Sequence, residues 1–546
     1  MKRLTLILAC ALAMAAAACC TRPSGQDSLP RAIVLSVTVD GVSVLESGNL
    51  NGVGLQPKIA VGFSREIVLD ELSLASCISY SGGKLNASLD PNDASVMILT
   101  PAESLIPSTA YRLGIVAGEG FGVNLVEGFT FSFRTAIDDS RNSFPQLPTD
   151  ELLTKVQQQT FKYFWDYAHP VSGLARERLG SGETVTSGGS GFGLMTIPMA
   201  IERGFISREE GAAHALKVVD FLQDKAQRFH GAFSHWLDGT SGAAKAFSTY
   251  DNGADLVETA FLMQGLLTLR AYFSGADATE TAIRSGVTSL WEAVEWDHFT
   301  RDGQNVLYWH WSADYGWQMN MQIKGWNEAL IVYVLAAASP THPISKDVYD
   351  KGWASNVRNG RAFYGTTLPL GPDYGGPLFF AHYSFLGLDP RHLKDAYADY
   401  WEQNCAHAKI NYSYCVKNPK NKYGYSERCW GLTASDIQGG YTASSPTNDR
   451  GTIAPTAALA SMPYTPEESL AALEYFYYHL GGRMWGEYGF YDAFSLENGW
   501  FASSYIAIDQ GPIAVMIENY RSGLLWDTFM TDPDVCRGLD NLGFSY

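Results

Sequence analysis

The 546-residue sequence is short of positive charge: 39 Lys and Arg stand against 57 Asp and Glu, a net charge of −18. Phosphate backbones are held by basic footprints, so this balance argues against nucleic acid as a partner and disfavours a polyanionic substrate. Cysteine is scarce, eight residues with no C-x-x-C pair. No histidine stands at zinc spacing either, so the pattern marks no metal site. No G-x-S-x-G elbow occurs, which removes the usual esterase geometry. The Gly-rich run Ser187-Gly188-Gly189-Ser190-Gly191-Phe192-Gly193 lacks the Lys-Ser/Thr of a phosphate loop. It reads as a sugar-contacting loop or as simple flexibility. No short repeat period is visible, which disfavours a solenoid.

What is present begins with a targeting segment. Lys2 and Arg3 precede an apolar run, Leu4 to Ala18. It falls below the roughly 18 residues of a comfortable membrane span and reads as a signal peptide. Ala16-Ala17-Ala18 before Cys19 resembles a bacterial lipobox, with Ala where Leu is usual at the third position before the cysteine. Cys19 is therefore the expected lipid anchor, with Cys20 as a second acceptor and ordinary signal cleavage as the alternative. The protein is expected to be exported and tethered to a bacterial membrane, on its periplasmic or cell-surface side. No later segment is long and apolar enough to span.

The chain is too long for one core, so at least two domains are expected. After a tether at 20–31, residues 32–136 hold short β-rich runs such as Ile33–Val39, Lys58–Phe63 and Phe129–Phe133, split by Gly, Pro, Asn and Ser turns. That pattern predicts a sandwich, and its closing run resembles the last strand of Ig-like modules. A linker is expected at 137–148. From 149 to 546 the apolar spacing turns helical, with Thr149 as a candidate cap. Helices are expected at Arg208–Phe229, Asp251–Tyr272, Ala278–Val294, Glu328–Ala338, Pro390–Ala406, Pro466–Leu480 and Ser503–Glu518. About a dozen helices without β-α alternation predict a mostly α domain, an (α/α)6 barrel or toroid with loops building a cleft at one end. A bundle is the alternative.

Three acidic stretches stand out. In Tyr250-Asp251-Asn252-Gly253-Ala254-Asp255-Leu256-Val257-Glu258, helical spacing puts Asp251, Asp255 and Glu258 on one face, where like charges repel unless the face meets solvent or a polar cavity. A solvated helix start is the competing reading. In Gln322-Ile323-Lys324-Gly325-Trp326-Asn327-Glu328, Glu328 adjoins a strongly apolar run. Desolvation there would raise its pKa, as a general acid requires, while an ordinary first-turn glutamate is the alternative. In Ile508-Asp509-Gln510-Gly511-Pro512 a carboxylate sits in apolar company, as a site residue or as a helix cap. Glu518 is a weaker candidate. Gly (53), Tyr (29), Phe (27) and Trp (14) are abundant, and aromatic rings stack on the apolar faces of sugars as readily as they fill cores. His235, Trp236, Trp311, Trp326 and Tyr441 join Asp251 as substrate-binding candidates.

Together, the Ser187–Gly193 run, Thr249–Thr259, Lys324–Glu328 and Ile508–Pro512 resemble the bacterial "glucoamylase" family now classed as glycoside hydrolase family 144. The resemblance covers about Asp150 to Tyr546. It implies an (α/α)6 barrel and inverting, cofactor-free hydrolysis of linear β-1,2-glucan or its oligosaccharides, a neutral substrate. By motif, Glu328 matches the family's general acid, while Asp251, Asp255 and Glu258 match acidic residues lining its cleft. Asp509 is the candidate for activating water. With Glu328, the catalytic set is thus Asp509, Asp255 and Glu258. A leading β-domain resembles the exo-acting members that release sophorose. The long stretches Thr366–Pro377 and Cys405–Thr442 are expected as loops closing the cleft to a pocket, tied by a disulfide among Cys405, Cys415 and Cys429. The alternatives are an endo-β-1,2-glucanase, an α-glucan glucoamylase, or a lipoprotein that captures glycans without cutting them.

Overall fold

The computed structural model describes residues 29–47 and 49–546. The signal segment and Cys19 lie outside the described residues. The described residues form two compact units, one up to 136 and the other over 137–546.

The first unit is built from sheets. One has five strands in the order Val42–Ser43, Val34–Val39, Ile59–Phe63, Asp93–Pro101, Leu85–Asp90, each pair antiparallel. A second has four, in the order Asn49–Val53, Phe129–Thr135, Ala110–Ile115, Ile78–Tyr80. Every second residue points inward, as strand geometry demands. Val37 pairs with Val61 and Val61 with Met97, while Phe131 pairs with Leu113. These residues join one buried apolar cluster shared by both sheets.

The second unit is mostly helical, and its helices are of two kinds. Ser187–Glu202, Leu256–Tyr272, Leu330–Ala338 and Ala507–Arg521 are buried almost all round. A helix without a polar stripe must be surrounded by protein. Thr149–Trp165, Arg208–Asp224 and Ala278–Glu292 bury one face only. Arg208–Asp224 starts on a capping box, in which Ser207 Oγ accepts from the Glu210 N–H and the Glu210 carboxylate accepts from the Ser207 N–H. No helix among the described residues is long and apolar enough to cross a membrane.

Several local expectations are corrected. The Gly-rich run is not a loop: Ser187–Gly193 is the first half of a buried helix. Its glycines let two helices touch through their backbones. A Cβ on Gly191 would lie 2.1 Å from the Phe261 carbonyl oxygen, and one on Gly265 would lie 2.2 Å from that of Gly191. Thr149 is the first helical residue rather than the cap, which is Pro148. The helix expected at Pro390–Ala406 runs instead from Tyr400 to Lys417, capped by Asp399, whose carboxylate accepts from the Glu402 N–H. That helix consumes the first part of the Cys405–Thr442 stretch. The expected disulfide is absent, since Cys405, Cys415 and Cys429 are all free thiols, the last two buried. The segment 137–148 is no free linker. The Ser143 N–H donates to the Tyr478 carbonyl (2.7 Å), the Leu147 N–H donates to the Tyr478 hydroxyl (2.9 Å), and Phe144 packs on Tyr477.

Candidate active site

The helix predicted from Asp251 begins only at Leu256. Asp251, Asp255 and Glu258 nonetheless come together, by a different device. Ala254–Asp255 forms a short antiparallel ladder with His310–Trp311, placing Asp255 opposite His310. The ladder needs Gly253, where a Cβ would lie 2.3 Å from the Trp311 carbonyl oxygen. Asp255 then caps the helix, its Oδ1 accepting from the Val257 and Glu258 N–H groups at 3.0 Å each. Its Oδ2 meets His235 Nδ1 at 3.2 Å and His310 Nε2 at 3.7 Å, and Asp251 Oδ2 meets His310 Nε2 at 3.4 Å. Glu258 Oε2 accepts from the Gly188 N–H at the start of the neighbouring buried helix (2.7 Å).

This is a charged nest in an apolar shell, and its charges are mutually determined. Burial pushes Asp255 up, but the His235 hydrogen bond and the charge of His310 outweigh it and hold Asp255 below the usual carboxylate range. Burial, aided by repulsion from Asp255, raises Glu258 despite the nearby His235. Burial pushes His235 down, but Glu258, Asp255 and Asp251 prevail and carry it up to about 9. His235 is therefore a cation at neutral pH. His235, Asp251 and Asp255 are spaced to hold an ion, as are His230, Glu295 and His298.

Beside the nest lies a cavity of about 610 Å³, lined by Glu177, Arg178, Thr186, His235, Trp236, Phe247, Glu258, Phe261, Trp309, Glu328, Phe379, Tyr383, Tyr441 and neighbouring aliphatic residues. Its volume and aromatic lining are those of a small-ligand site with few polar groups. Glu328 is not a first-turn glutamate. It sits in the turn before Leu330–Ala338, and the Ser384 hydroxyl donates to its backbone carbonyl. Asn327 braces the turn, its Oδ1 accepting from the Ala329 N–H (3.0 Å) and from Trp353 Nε1 (3.1 Å). Burial, with added repulsion from Glu258 and Asp255, pushes the Glu328 carboxyl up to about 7. It is a carboxylic acid that still holds its proton near neutrality.

The far wall comes from residues remote in sequence. A hairpin, Ala434–Ile437 with Gly440–Ala443, sets Asp436 opposite Tyr441. Arg178 bridges Glu177 (3.1 Å) and Asp436 (3.2 Å). Asp509 lies behind this wall, 1% exposed, and its Oδ1 accepts from the Tyr383 hydroxyl at 3.3 Å. Asp509 is no helix cap: the helix starts at Ala507, with Pro512 inside it.

Of the expected substrate-binding residues, His235, Trp236 and Tyr441 line the cavity, and Asp251 is buried in the nest behind it. Trp326 and Trp311 do not line it. Trp326 is buried against Trp353, Phe385 and Tyr400, and Trp311 packs on His230 and His298. Glu518 is structural, paired with Arg203 at 2.8 Å and bonded to Gln157 and Ser522. Sequence reading missed Glu177, Arg178, Trp309, Tyr383 and Asp436. Trp309 lay in the conspicuous run Tyr308-Trp309-His310-Trp311-Ser312, but the others carry no local signal.

A family model described as "Glycoamylase: Putative glucoamylase" matches residues 320–533. An endo-β-1,2-glucanase from Chitinophaga pinensis, solved with sophorotriose and glucose, is 52% identical over 73% of this chain and 99% of its own, with a TM-score of 0.71. The chain belongs to this bacterial glucoamylase-like family, glycoside hydrolase family 144. Within the family, a β-1,2-glucanase structure from Parabacteroides distasonis is 38% identical over 95% of this chain and 73% of its own, TM-score 0.72, a match spanning both units. An exo-β-1,2-glucooligosaccharide sophorohydrolase (non-reducing end), also from Parabacteroides distasonis, is 46% identical over 74% of this chain. The present chain spans 59% of that relative's length.

Proposed function

We propose that the protein is an inverting glycoside hydrolase that acts on linear β-1,2-glucooligosaccharides and releases sophorose from a chain end. The observation that carries the reading is Glu328, a carboxyl that keeps its proton up to about 7 while facing an aromatic cavity of about 610 Å³. Glu328 protonates the departing glycosidic oxygen. Asp509, behind Tyr383, takes the proton of the water that attacks the anomeric carbon from the opposite face by relay through the Tyr383 hydroxyl, whose hydrogen bond it accepts. Inversion needs such an acid and base on opposite sides of the bond. Asp251, Asp255, Glu258 and His235 form the polar floor, and Trp236 and Tyr441 stack on or border the sugar. No cofactor takes part in this chemistry. The relatives named for exo- and endo-β-1,2-glucan cleavage support the substrate class.

The finer architecture belongs to the same proposal. The all-buried helices, with Pro455–Leu459 and the turns near Ser384–Leu386, form the inner ring of an (α/α)6 toroid, and the one-faced helices form the outer ring. Lipidation at Cys19 tethers the enzyme to the membrane. Endo cleavage is the second reading, favoured by the higher identity to the Chitinophaga enzyme. Incubation of the pure protein with linear β-1,2-glucan, with products sized over time, tests the proposal. Sophorose accumulating early supports it; no hydrolysis of β-1,2-linked material, or activity confined to maltodextrin, overturns it.

A further inference from the structure

Two carboxylates face each other behind the cavity wall. Asp492 is 2% exposed and Asp509 1%. Asp492 Oδ1 and Asp509 Oδ2 are fully buried, and neither receives a hydrogen bond from a donor among the described residues. Their remaining oxygens are engaged: Asp492 Oδ2 accepts from the Asp436 N–H at 2.6 Å, and Asp509 Oδ1 accepts from the Tyr383 hydroxyl at 3.3 Å. The two side chains lie within hydrogen-bond reach of each other, and each keeps one orphaned oxygen. Two ionised carboxylates have no hydrogen to share. Buried polar atoms go unpaired only at a cost, and one proton between these two satisfies both.

The surroundings oppose a second negative charge. The titratable groups facing the pair are Asp436, Tyr383, Tyr441 and Arg178. Arg178 is their cation, and it is already held between Glu177 and Asp436. Asp436 is in turn satisfied by the Ser504 hydroxyl at 2.6 Å. Burial first pushes both carboxyls above their ordinary range; repulsion from Asp492 adds to it at Asp509, and repulsion from Asp436 adds to it at both.

We propose that Asp492 and Asp509 hold one proton between them and act as a single monoanionic base, with Asp492 as the positioning residue that sets the proton affinity of Asp509. The proposal rests on the hydrolytic reading above and deepens it. As water attacks the anomeric carbon, the new C–O bond forms and the glycosidic C–O bond breaks. The leaving oxygen takes the proton of Glu328. The water's proton passes to the pair, which becomes neutral. Loss of that proton to solvent and reprotonation of Glu328 restore the enzyme. Asp492 touches no substrate. Its role is to carry the shared proton, so that the pair keeps a single negative charge and can still take up the proton of the water.

Asp492→Asn tests this with little change of shape. Its amide oxygen can still accept from the Asp436 N–H, while its NH₂ donates to Asp509 and leaves that carboxylate fully ionised. The acidic limb of kcat/KM should move up, since the amide N–H is a weaker donor to the Asp509 carboxylate than the carboxyl O–H it replaces, so activity at acidic pH should fall. A loss of activity with the limb unmoved, in a protein with a wild-type melting profile, would mean that Asp492 is merely structural. A second readout needs no substrate. In the Glu328→Gln background, which removes one raised cavity acid and leaves Glu258 and Glu177 unchanged, infrared difference spectra at pH 8 should show a protonated-carboxyl band that Asp492→Asn abolishes. If that variant does not fold, Asp509→Asn should abolish the same band. Absence of the band in the Glu328→Gln protein overturns the shared proton. The band in the Glu328→Gln protein, together with a wild-type enzyme that leaves β-1,2-glucooligosaccharides intact, counts against the hydrolytic reading and not against the pair.

Discussion

Glu328→Gln should separate two consequences of one burial, a loss of turnover and a gain of stability that depends on pH. The carboxyl ionises at 4.5 in an ordinary setting and at about 7 in the folded protein. Below 4.5 both states hold the proton and the residue costs nothing. As pH rises towards 7 the unfolded chain releases its proton and the folded one does not, so wild-type stability falls through this window and levels off above it. The full difference is roughly 3 kcal/mol, from about 1.4 kcal/mol per pH unit. Because the side chain faces a cavity that admits water, about 1–3 kcal/mol is the working range. Glutamine is nearly isosteric and does not titrate. Denaturant unfolding at pH 4.5 and pH 8 should therefore show the variant gaining about 1–3 kcal/mol on the wild type at the higher pH and nothing at the lower. Over the same comparison kcat should drop about 10²–10⁴-fold, the usual worth of general acid catalysis. A folded variant that keeps more than about a tenth of wild-type kcat would refute Glu328 as the acid. A stability difference that stays flat with pH would refute its desolvation.

A protein truncated to begin at Ile137 should hydrolyse short β-1,2-glucooligosaccharides with kcat close to wild type, because the cavity is lined by 137–546 alone; loss of activity in a well-folded truncation would assign a catalytic part to the β-unit. Time-resolved chromatography should show a disaccharide early, and a ladder of mid-sized products with fast shortening of the polymer would indicate endo attack instead. Gly191→Ala should destabilise by at least the 1–3 kcal/mol typical of overpacking, since its Cβ would meet a backbone oxygen that cannot move aside; an unchanged melting temperature would contradict the close helix contact. The His235 imidazole, followed by NMR, should stay protonated until about pH 9, and a midpoint near 6.5 would disprove the carboxylate nest.

Local pattern was enough to read some of this protein. The shift from alternating to helical spacing marked the two kinds of unit, and the apolar run after Glu328 foretold a carboxyl with a raised pKa. The acids of Asp251–Glu258 were also visible, although their convergence came from an N-cap and a strand ladder rather than from one helix face. Periodicity reports only what a residue's near neighbours are. It therefore could not tell that Ser187–Gly193 is a helix, because glycine is a poor helix former until another backbone presses against it. Nor could it tell Trp326, sealed among rings, from Trp236 at the cavity wall. Of the far side of the site only Asp509 and Tyr441 could be singled out. Arg178, Asp436, Tyr441, Asp492 and Asp509 are spread over more than 300 positions of the chain. Arg178, Asp436 and Asp492 are unremarkable where they stand in sequence. Their charges acquire meaning only when packing strips them of water, so that each group's proton is settled by the others.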